Sequence, residues 1–380
     1  MKFTIITHVP HVCQDNHYYG YAPYIREMNI WLNYVDHVVV VAPLDDAIVG
    51  PIHEAYSHAN LSFLSVSEFN VTSVKNFLIA LYRLPKVVAT VYKAMKCSDH
   101  IHLRCPGNMG LIGALVQILF PKKQKTAKYA GNWDAASKQP FTYRLQRWIL
   151  SNTFLTRNMQ VLVYGDWPNQ TKNILSFFTA SYSEEEISKH EENDLIKIAT
   201  LSEEVRFLFV GTLSKGKQPL YAIQLVNQLK ENGIHVRLAL FGDGPLYNEL
   251  QEYIHSNGLS SFVTLRGNHD KTTVLNAYRK SHFLLLPSKS EGWPKAVAEA
   301  MFWGCVPIAT PISCVPYMLG NGSRGLLLQE QMELDVPQIK MVLQNVDLHK
   351  ALSNEGKNWS RNFTTNSFER EIKKLLTKPN

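Results

Sequence analysis

The sequence predicts an α/β protein with two domains, each built on a doubly wound, Rossmann-like parallel sheet. Short apolar runs, such as residues 205–210 and 283–286, are typical of strands that are covered on both faces, as strands in parallel sheets are. These runs alternate with longer stretches of helical periodicity, which is the pattern of β-α-β units. The chain has 380 residues and 45% hydrophobic content, which is enough for two separate cores.

A polar stretch at residues 183–202, which contains two clusters of glutamates, separates the halves of the chain. We therefore expect a first domain over residues 1–190 and a second over 200–362. Residues 363–380 have the pattern of a final, polar helix.

The expected strands of the first domain lie at residues 3–7, 37–43, 61–66, 99–104, 160–164 and 176–180, and a further strand ends near residue 131. A polar, aromatic loop is expected at 8–24. Those of the second domain lie at 205–211, 236–241, 263–267, 283–287, 306–311 and 325–328. The regular alternation of strand and helix in the second half predicts a parallel sheet there.

Glu291 and Glu299, separated by seven residues, are the strongest functional signal. Glu291 follows the strand at 283–287, and Pro294 is suited to the first position of a helix because it lacks an N–H group. A helix from 296 to 303 then places Glu299 in its second turn. The spacing directs two acceptors and a helix N-terminus at one crevice, where open α/β sheets bind ligands. The alternative is that both glutamates are ordinary surface residues.

Residues 288–301 resemble the Glu-x7-Glu motif of the retaining glycosyltransferases of family 4, which have the two-domain GT-B fold. In that family the first glutamate contacts the donor sugar and the second contacts the nucleotide ribose. The resemblance implies that Glu291 is catalytic and that Glu299 binds the donor. It also implies that Gly292, Trp293 and Pro294 lie beside the sugar. The family commonly has Gly-Phe-Gly at those three positions, which leaves the sugar preference open.

The loop after residue 210 extends the resemblance. Gly211 matches the glycine of a Gly-Arg pair in the family. Lys217 matches a lysine that follows five positions after that arginine and holds the donor diphosphate in the family. Thr212 stands where the family has Arg, so Lys215 is a candidate for the missing phosphate contact. A solvated Lys217 with no role is the alternative.

Two further donor contacts are implied in the second half. Gly242 opens a Gly-x-Gly-Pro turn whose amides approach the nucleotide in the family. Arg266 ends a strand after which the family places base contacts, and a surface ion pair is the equal alternative for it.

The first half resembles the family less closely. Gly20 is the one glycine in a loop that is glycine-rich in the family, where it approaches the acceptor. His102 matches the first histidine of an Asp-x-x-His-x-His segment beside the reaction centre, and Arg104 replaces the second. A buried, hydrogen-bonded histidine is the alternative for His102. His100 shares its face of the strand, but no third metal ligand follows.

Asn132 and Trp133 follow another strand at the same edge and are candidates for contact with an acceptor sugar. A loop with a buried tryptophan is the alternative. By resemblance, residues 363–380 return as a helix to the first domain.

Positive charge is concentrated in the first half, where residues 1–183 hold 17 Lys and Arg against 10 Asp and Glu. A basic amphipathic stretch at 75–96 carries Lys75, Lys86 and Lys96 and no acidic residue, so an anionic membrane is a possible partner. A helix with one face packed on the sheet is the alternative. We expect no nucleic acid, because no recognised binding module accompanies the charge.

No run reaches the ~18 uncharged residues of a membrane span, and no signal peptide is recognised. The five cysteines form no Cys-x-x-Cys pair, which favours a reducing cytoplasm. We expect no cofactor and no metal, since the Asp-x-Asp motif of the other large glycosyltransferase fold is absent.

The resemblance thus implies a retaining transfer of sugar from a nucleoside diphosphate to a hydroxyl acceptor, a glycan or a lipid-linked sugar, in bacterial surface-polysaccharide synthesis. This would take place in the cytoplasm, at the inner face of the plasma membrane if the acceptor is lipid-linked. Three alternatives stay open: a sugar-nucleotide epimerase, a phosphorylase, and an idle subunit that binds a nucleotide sugar without turning it over.

Overall fold

The structure is a computed structural model, and by its contacts the chain divides into two compact units. Unit 1 comprises Met1–Thr179 and Phe368–Asn380, and unit 2 comprises Ala180–Ser367. The residues described are 1–50, 52–67, 74–189 and 203–377, with the backbone alone at 74–81.

The strands described in unit 1 are β1 (Lys2–Ile6), β2 (His11–Gln14), β3 (His17–Tyr21), β4 (His37–Asp45), β5 (His53–Ala55), β6 (Leu61–Val66), β7 (His100–Cys105), β8 (Gln124–Tyr129), β9 (Met159–Tyr164) and β10 (Ile174–Phe177). The helices are α1 (Ala22–Leu32), α2 (Val74–Lys96), α3 (Asn108–Val116) and α4 (Phe141–Ser151). The parallel strands pair in the order β10-β9-β8-β7-β1-β4-β6. The chain winds in opposite directions from the centre, so the topological switch point lies between β1 and β7.

The predicted loop at residues 8–24 is wrong, because β2 and β3 form an antiparallel hairpin there. Its two-residue turn is Asp15-Asn16, whose φ values of 51° and 59° are the left-handed pair that tight hairpin turns require. Gly20 is buried in β3, where an added Cβ would lie 2.9 Å from Ile25 Cδ1. Packing within the hairpin therefore explains this glycine, and only its backbone is left for an acceptor.

Helix α2 packs one face on the sheet of unit 1. Val87, Val91 and Met95 are at most 3% exposed and belong to the core, while Lys86 and Lys93 are exposed on the other side. This is the arrangement that we kept as the alternative to a membrane-bound helix. The side chain of Lys75 lies outside the described residues.

The strands described in unit 2 are β11 (Val205–Val210), β12 (Val236–Phe241), β13 (Val263–Gly267), β14 (Phe283–Leu286), β15 (Val306–Ala309) and β16 (Leu326–Leu327). The helices are α5 (Glu184–Ser188), α6 (Pro219–Glu231), α7 (Tyr247–Ser256), α8 (Lys271–Lys280), α9 (Lys295–Phe302), α10 (Val315–Met318), α11 (Met332–Leu343), α12 (Val346–Ser360) and the first residues of α13 (Thr365–Thr377). The sheet is parallel throughout, in the order β13-β12-β11-β14-β15-β16. Its switch point lies between β11 and β14.

The boundary between the units lies earlier than residue 190, since the chain from Ala180 groups with unit 2. Tyr182 is 2% exposed, and its ring lies 5.2 Å from that of Phe302 and 5.1 Å from that of Trp303. Ser183 then begins α5 with a capping box. Most of the predicted linker, residues 190–202, lies outside the described residues.

Helix α13 begins in unit 2 and groups with unit 1 from Phe368 onward. The Phe368 side chain is fully buried, with its ring 5.5 Å from that of Phe177. Within the described residues, no helix has the length and apolar character that crossing a bilayer requires.

Buried histidines should make unit 1 sensitive to acid. His100 is 1% exposed, and burial lowers its pKa to about 4, whereas the unfolded chain binds this proton near pH 6.5. As the pH falls, the unfolded state takes up the proton first. The contribution of neutral His100 to the free energy of unfolding is therefore fully present above pH 6.5 and is lost toward pH 4. This residue should lower the free energy of unfolding by about 2 kcal/mol between pH 7 and pH 5.

Urea unfolding at the two pH values tests this expectation. The variant His100→Gln should lose less stability on acidification than the wild type does. His17→Gln, which changes an exposed histidine, should behave as the wild type. An equal loss in wild type and His100→Gln would contradict the assignment.

Candidate functional site

The switch point of unit 2 brings Lys217 and Glu291 into contact. Lys217 follows β11 and Glu291 follows β14, and the Lys217 Nζ donates a hydrogen bond to Glu291 Oε1. The Glu291 side chain is 8% exposed and that of Lys217 is 28% exposed. The loops also meet through their main chains, because Lys289 N–H donates to the Gly216 carbonyl at 2.8 Å. An accessible cation and a nearly buried carboxylate therefore share the crevice where such sheets bind ligands.

Glycines allow three loops to meet at the carboxyl edge of this sheet. The N–H of Gly211 donates to the Phe241 carbonyl at 3.0 Å, and that of Gly242 to the Gly267 carbonyl at 2.8 Å. Gly242 has a φ of +129°, and an added Cβ would lie 2.0 Å from the Gly211 oxygen. The Gly-x-Gly turn therefore has a structural reason of its own, which is the close approach of two loops.

The turn from Glu291 to α9 differs in two details from the prediction. Pro294 is the N-cap residue, one position before the first helical residue, and no side chain caps the helix. Trp293 is 7% exposed, with its ring 6.2 Å from Trp359 and 5.8 Å from Phe363. The indole thus packs inside unit 2, which leaves the backbone at this position for a sugar.

Two side chains fix the carbonyl of Gly292. Ser313 Oγ donates to it at 3.2 Å, and Cys314 Sγ donates at 3.0 Å. Burial raises the pKa of the Cys314 thiol to about 12, so the group keeps its proton and remains a donor. These bonds hold the main chain next to Glu291 in one orientation.

Glu299 has partners that the sequence did not indicate. Ser181 Oγ donates to Glu299 Oε1 at 2.5 Å, although 118 positions separate the two residues. Tyr278 lies close as well, since burial and then the Glu299 charge raise the pKa of its hydroxyl well above the usual value. No short-range signal could have identified Ser181, because the contact depends on how residues 180–183 pack on α9.

The remaining donor candidates of unit 2 lie at the same edge. Thr212 and Lys215 are exposed in the loop after β11, and Arg266 is exposed near the end of β13. Of the predicted donor residues, the structure brings Lys217 and Glu291 into direct contact, places Thr212, Lys215 and Arg266 at the same edge of the sheet, and turns the Trp293 side chain inward.

His102 lies in the interior of unit 1. It is 1% exposed, its Nδ1 lies 2.9 Å from Thr126 Oγ1, and its ring lies 4.8 Å from that of Trp31. Burial lowers the pKa of this imidazole well below its usual value. His102 is therefore the buried, hydrogen-bonded histidine of the alternative prediction. Among the described residues, no group of three or more possible ligands is placed to hold a metal ion.

Arg104 and His8 lie at the switch point of unit 1. The Arg104 guanidinium is centred 5.2 Å from the Tyr24 ring and lies 3.9 Å from Glu27, a buried carboxylate that also pairs with Lys128 Nζ at 2.9 Å. Burial, followed by the positive charge of Arg104, lowers the pKa of His8. Sequence reasoning missed His8, although its place just after β1 at the switch point was a usable signal.

Trp133 and Asn132 have structural partners. Trp133 is 3% exposed, and its Nε1 donates to Gln170 Oε1 at 3.0 Å. Asn132 Oδ1 accepts from the Asp134 N–H at 2.9 Å. Trp133 is therefore a buried tryptophan in a loop, as the alternative prediction has it. Asn132 is partly exposed.

Gly242→Ala should destabilise unit 2. A side chain at a φ of +129°, 2.0 Å from the Gly211 oxygen, forces the two loops apart, and we expect a loss of at least ~2 kcal/mol in the free energy of unfolding. Gly216→Ala is the matched control, because no atom lies within 4 Å of an added Cβ there. Equal melting temperatures for the two variants would show that the loops do not constrain each other.

Comparison with known proteins agrees with this geometry. Residues 191–359 match the family described as glycosyl transferases group 1. The uncharacterized glycosyltransferase MJ1178 of Methanocaldococcus jannaschii is 30% identical over 158 residues, 41% of this chain and 43% of that protein. The UDP-Gal:alpha-D-GlcNAc-diphosphoundecaprenol alpha-1,3-galactosyltransferase of Escherichia coli is 29% identical over 165 residues, which are 43% of this chain and 41% of that protein. These matches span about two fifths of each relative's length.

Solved structures match the whole chain. HepE of Anabaena, in complex with UDP and glucose, superposes with a TM-score of 0.69 at 14% identity and covers 100% of both chains. WaaG, a glycosyltransferase involved in lipopolysaccharide biosynthesis, superposes with a TM-score of 0.66 at 12% identity, again over 100% of both. At such identities the likeness shows the fold, which is the predicted GT-B fold. The chain therefore has the GT-B fold, and its residues 191–359 are similar to the glycosyl transferases group 1.

Proposed function

We propose that this protein transfers a sugar from a nucleoside diphosphate to a hydroxyl acceptor, with retention at the anomeric carbon, in the synthesis of bacterial surface polysaccharide or lipopolysaccharide. The contact between Lys217 and Glu291 at the switch point of unit 2 carries the proposal. A structural neighbour that holds UDP and glucose supports a nucleotide-sugar donor. The relative named for a diphosphoundecaprenol substrate supports a lipid-linked acceptor.

The Lys217–Glu291 pair is balanced in charge, and the donor would change the partners of both residues. A sugar diphosphate is an anion, so it competes with Glu291 for the Lys217 ammonium and gains charge-assisted hydrogen bonds from it. The released Glu291 carboxylate then accepts hydrogen bonds from the sugar hydroxyls. The uncapped start of α9 presents the positive end of the helix to the phosphates.

The nucleotide part of the donor would lie toward Glu299, which shares its carboxylate between the ribose and Ser181. The backbones of Gly211 and Gly242 border this region, together with the exposed side chains of Thr212 and Arg266.

Chemistry would rely on stabilising the departing diphosphate, whose developing charge meets Lys217 and the α9 N-terminus. The departing phosphate itself takes the proton of the acceptor hydroxyl, so the scheme needs neither a separate base nor a metal ion. Arg104, His8 and Asn132 are the polar groups of unit 1 that we assign to the acceptor side. His102 we assign to positioning β7, because its ring is buried.

Contact with an anionic membrane completes the proposal, since a lipid-linked acceptor is held there. The exposed side of α2, with Arg83, Lys86 and Lys93, supplies positive charge for that contact at the inner face of the plasma membrane.

Glu291→Gln and Lys217→Ala should each lower kcat/KM for transfer at least ~100-fold, which is the scale of one lost charge-stabilising group. Lys280→Ala, which removes an exposed lysine from the end of α8, is the matched control and should keep wild-type activity. The rate should also survive a metal chelator, and the product should have the anomeric configuration of the donor.

Three results would contradict the proposal. Donor binding without turnover with any acceptor would favour an idle subunit. Conversion of the nucleotide sugar in the absence of acceptor would indicate an epimerase. Full activity of Glu291→Gln would remove the role given to this carboxylate.

A further inference from the structure

Helix α2 presents Arg83, Lys86 and Lys93 on its exposed side, and Tyr82, which is 88% exposed, is the most exposed aromatic residue among its described side chains. Its apolar side, including Val87, Val91 and Met95, is buried in the core of unit 1. Peripheral proteins that bind stably combine basic residues with apolar side chains that enter the headgroup region. Further exposed apolar residues on unit 1 would therefore strengthen such a contact.

Helix α4 and the turn after it provide such residues. Phe141 and Trp148, seven positions apart on one face of the helix, are 69% and 60% exposed, and Phe154 just beyond the helix is 70% exposed. The opposite face is anchored, since Ile149 and Leu150 are at most 1% exposed. Three large aromatic residues exposed to this degree along one element are unusual for a surface in contact with water alone.

The segment that carries these aromatic residues is cationic. Residues 135–165 hold four Lys and Arg and no acidic residue. Arg144 is exposed between Phe141 and Trp148, and the Arg157 guanidinium lies 4.6 Å from the Phe154 ring centre. We call Phe141, Arg144, Trp148, Phe154 and Arg157 the α4 stripe. Aromatic rings interleaved with arginine match the chemistry of an anionic bilayer surface.

The α4 stripe is tied to the loop that holds Asn132. Gln139 Nε2 donates to the Asn132 carbonyl at 2.5 Å, and Arg147 donates to the Asp134 carbonyl at 2.7 Å. A helix of 11 residues extends ~16 Å at 1.5 Å per residue, so a bilayer along the stripe would pass close to this loop.

We propose that α4 lies flat on an anionic bilayer, with Phe141, Trp148 and Phe154 in the headgroup region and Arg144 and Arg157 on lipid phosphates. The inference rests on the proposed function in one respect, which is that contact here would place the Asn132 loop beside a lipid-linked acceptor. The membrane contact itself does not depend on the transfer chemistry.

Co-sedimentation of the full chain with vesicles tests the proposal. Phosphatidylcholine vesicles with phosphatidylglycerol should bind the protein, and vesicles of phosphatidylcholine alone should bind it at least tenfold more weakly. The triple variant Phe141→Ser, Trp148→Ser, Phe154→Ser should bind anionic vesicles at least ~10-fold more weakly than the wild type at moderate salt. Arg144→Ser with Arg157→Ser should also weaken binding at least ~10-fold and reduce its salt dependence.

The control variant is Leu334→Ser with Met341→Ser, which removes two exposed apolar residues from α11 of unit 2 and should bind as the wild type does. A wild type that ignores anionic vesicles, or a triple variant that binds them equally well, would overturn the proposal. All variants are also tested for thermal stabilisation by nucleotide sugars. A stripe variant that loses vesicle binding but is still stabilised by a nucleotide sugar supports the role of the α4 stripe. If nucleotide sugars do not stabilise the wild type either, the proposed donor site has failed, and this result does not bear on the stripe.

Discussion

The close approach of loops at the carboxyl edge of the unit 2 sheet is the constraint on which the candidate site depends. Gly242 has no room for a side chain against Gly211, and the Gly216 carbonyl accepts a hydrogen bond from the Lys289 N–H. These contacts bring the loop after β11 onto the loop after β14, and Lys217 reaches Glu291 as a result. The switch point separates the two strands that these loops follow, and the glycines allow the loops to approach closely.

The electrostatics of this pair suit a site that must accept an anion. A carboxylate that is 8% exposed is costly to leave unpaired, so the Lys217 ammonium stabilises the buried Glu291. Under the proposed function, an arriving diphosphate would give the lysine a second anionic partner, and sugar hydroxyls would bind Glu291. Glu299 has a neutral partner in Ser181, and a ribose hydroxyl would make the same kind of hydrogen bond to it. The α4 stripe would then bring the acceptor loop of unit 1 to the membrane.

The sequence predicted most of the parallel strands and the placement of Glu291, Glu299 and Lys217 after or within their elements, because apolar runs and loop motifs are local signals. It failed, or left alternatives open as for Trp133 and His102, where tertiary packing decides. The burial of Trp293, Trp133 and His102 depends on partners distant in sequence, and so does the contact of Ser181 with Glu299. The β2–β3 hairpin was missed although Asp15-Asn16 is a suitable tight turn, because its strands are short and polar.

Thermal stabilisation by a panel of UDP-, GDP-, ADP-, CMP- and dTDP-sugars, measured without metal, tests the central claim most directly. We expect one nucleotide class to raise the melting temperature of the wild type, and to do so less for Glu299→Ala. That result would establish the nucleotide-sugar site of unit 2 and identify the donor class. The absence of a shift with every nucleotide, or an equal shift in the variant, would contradict the site as described.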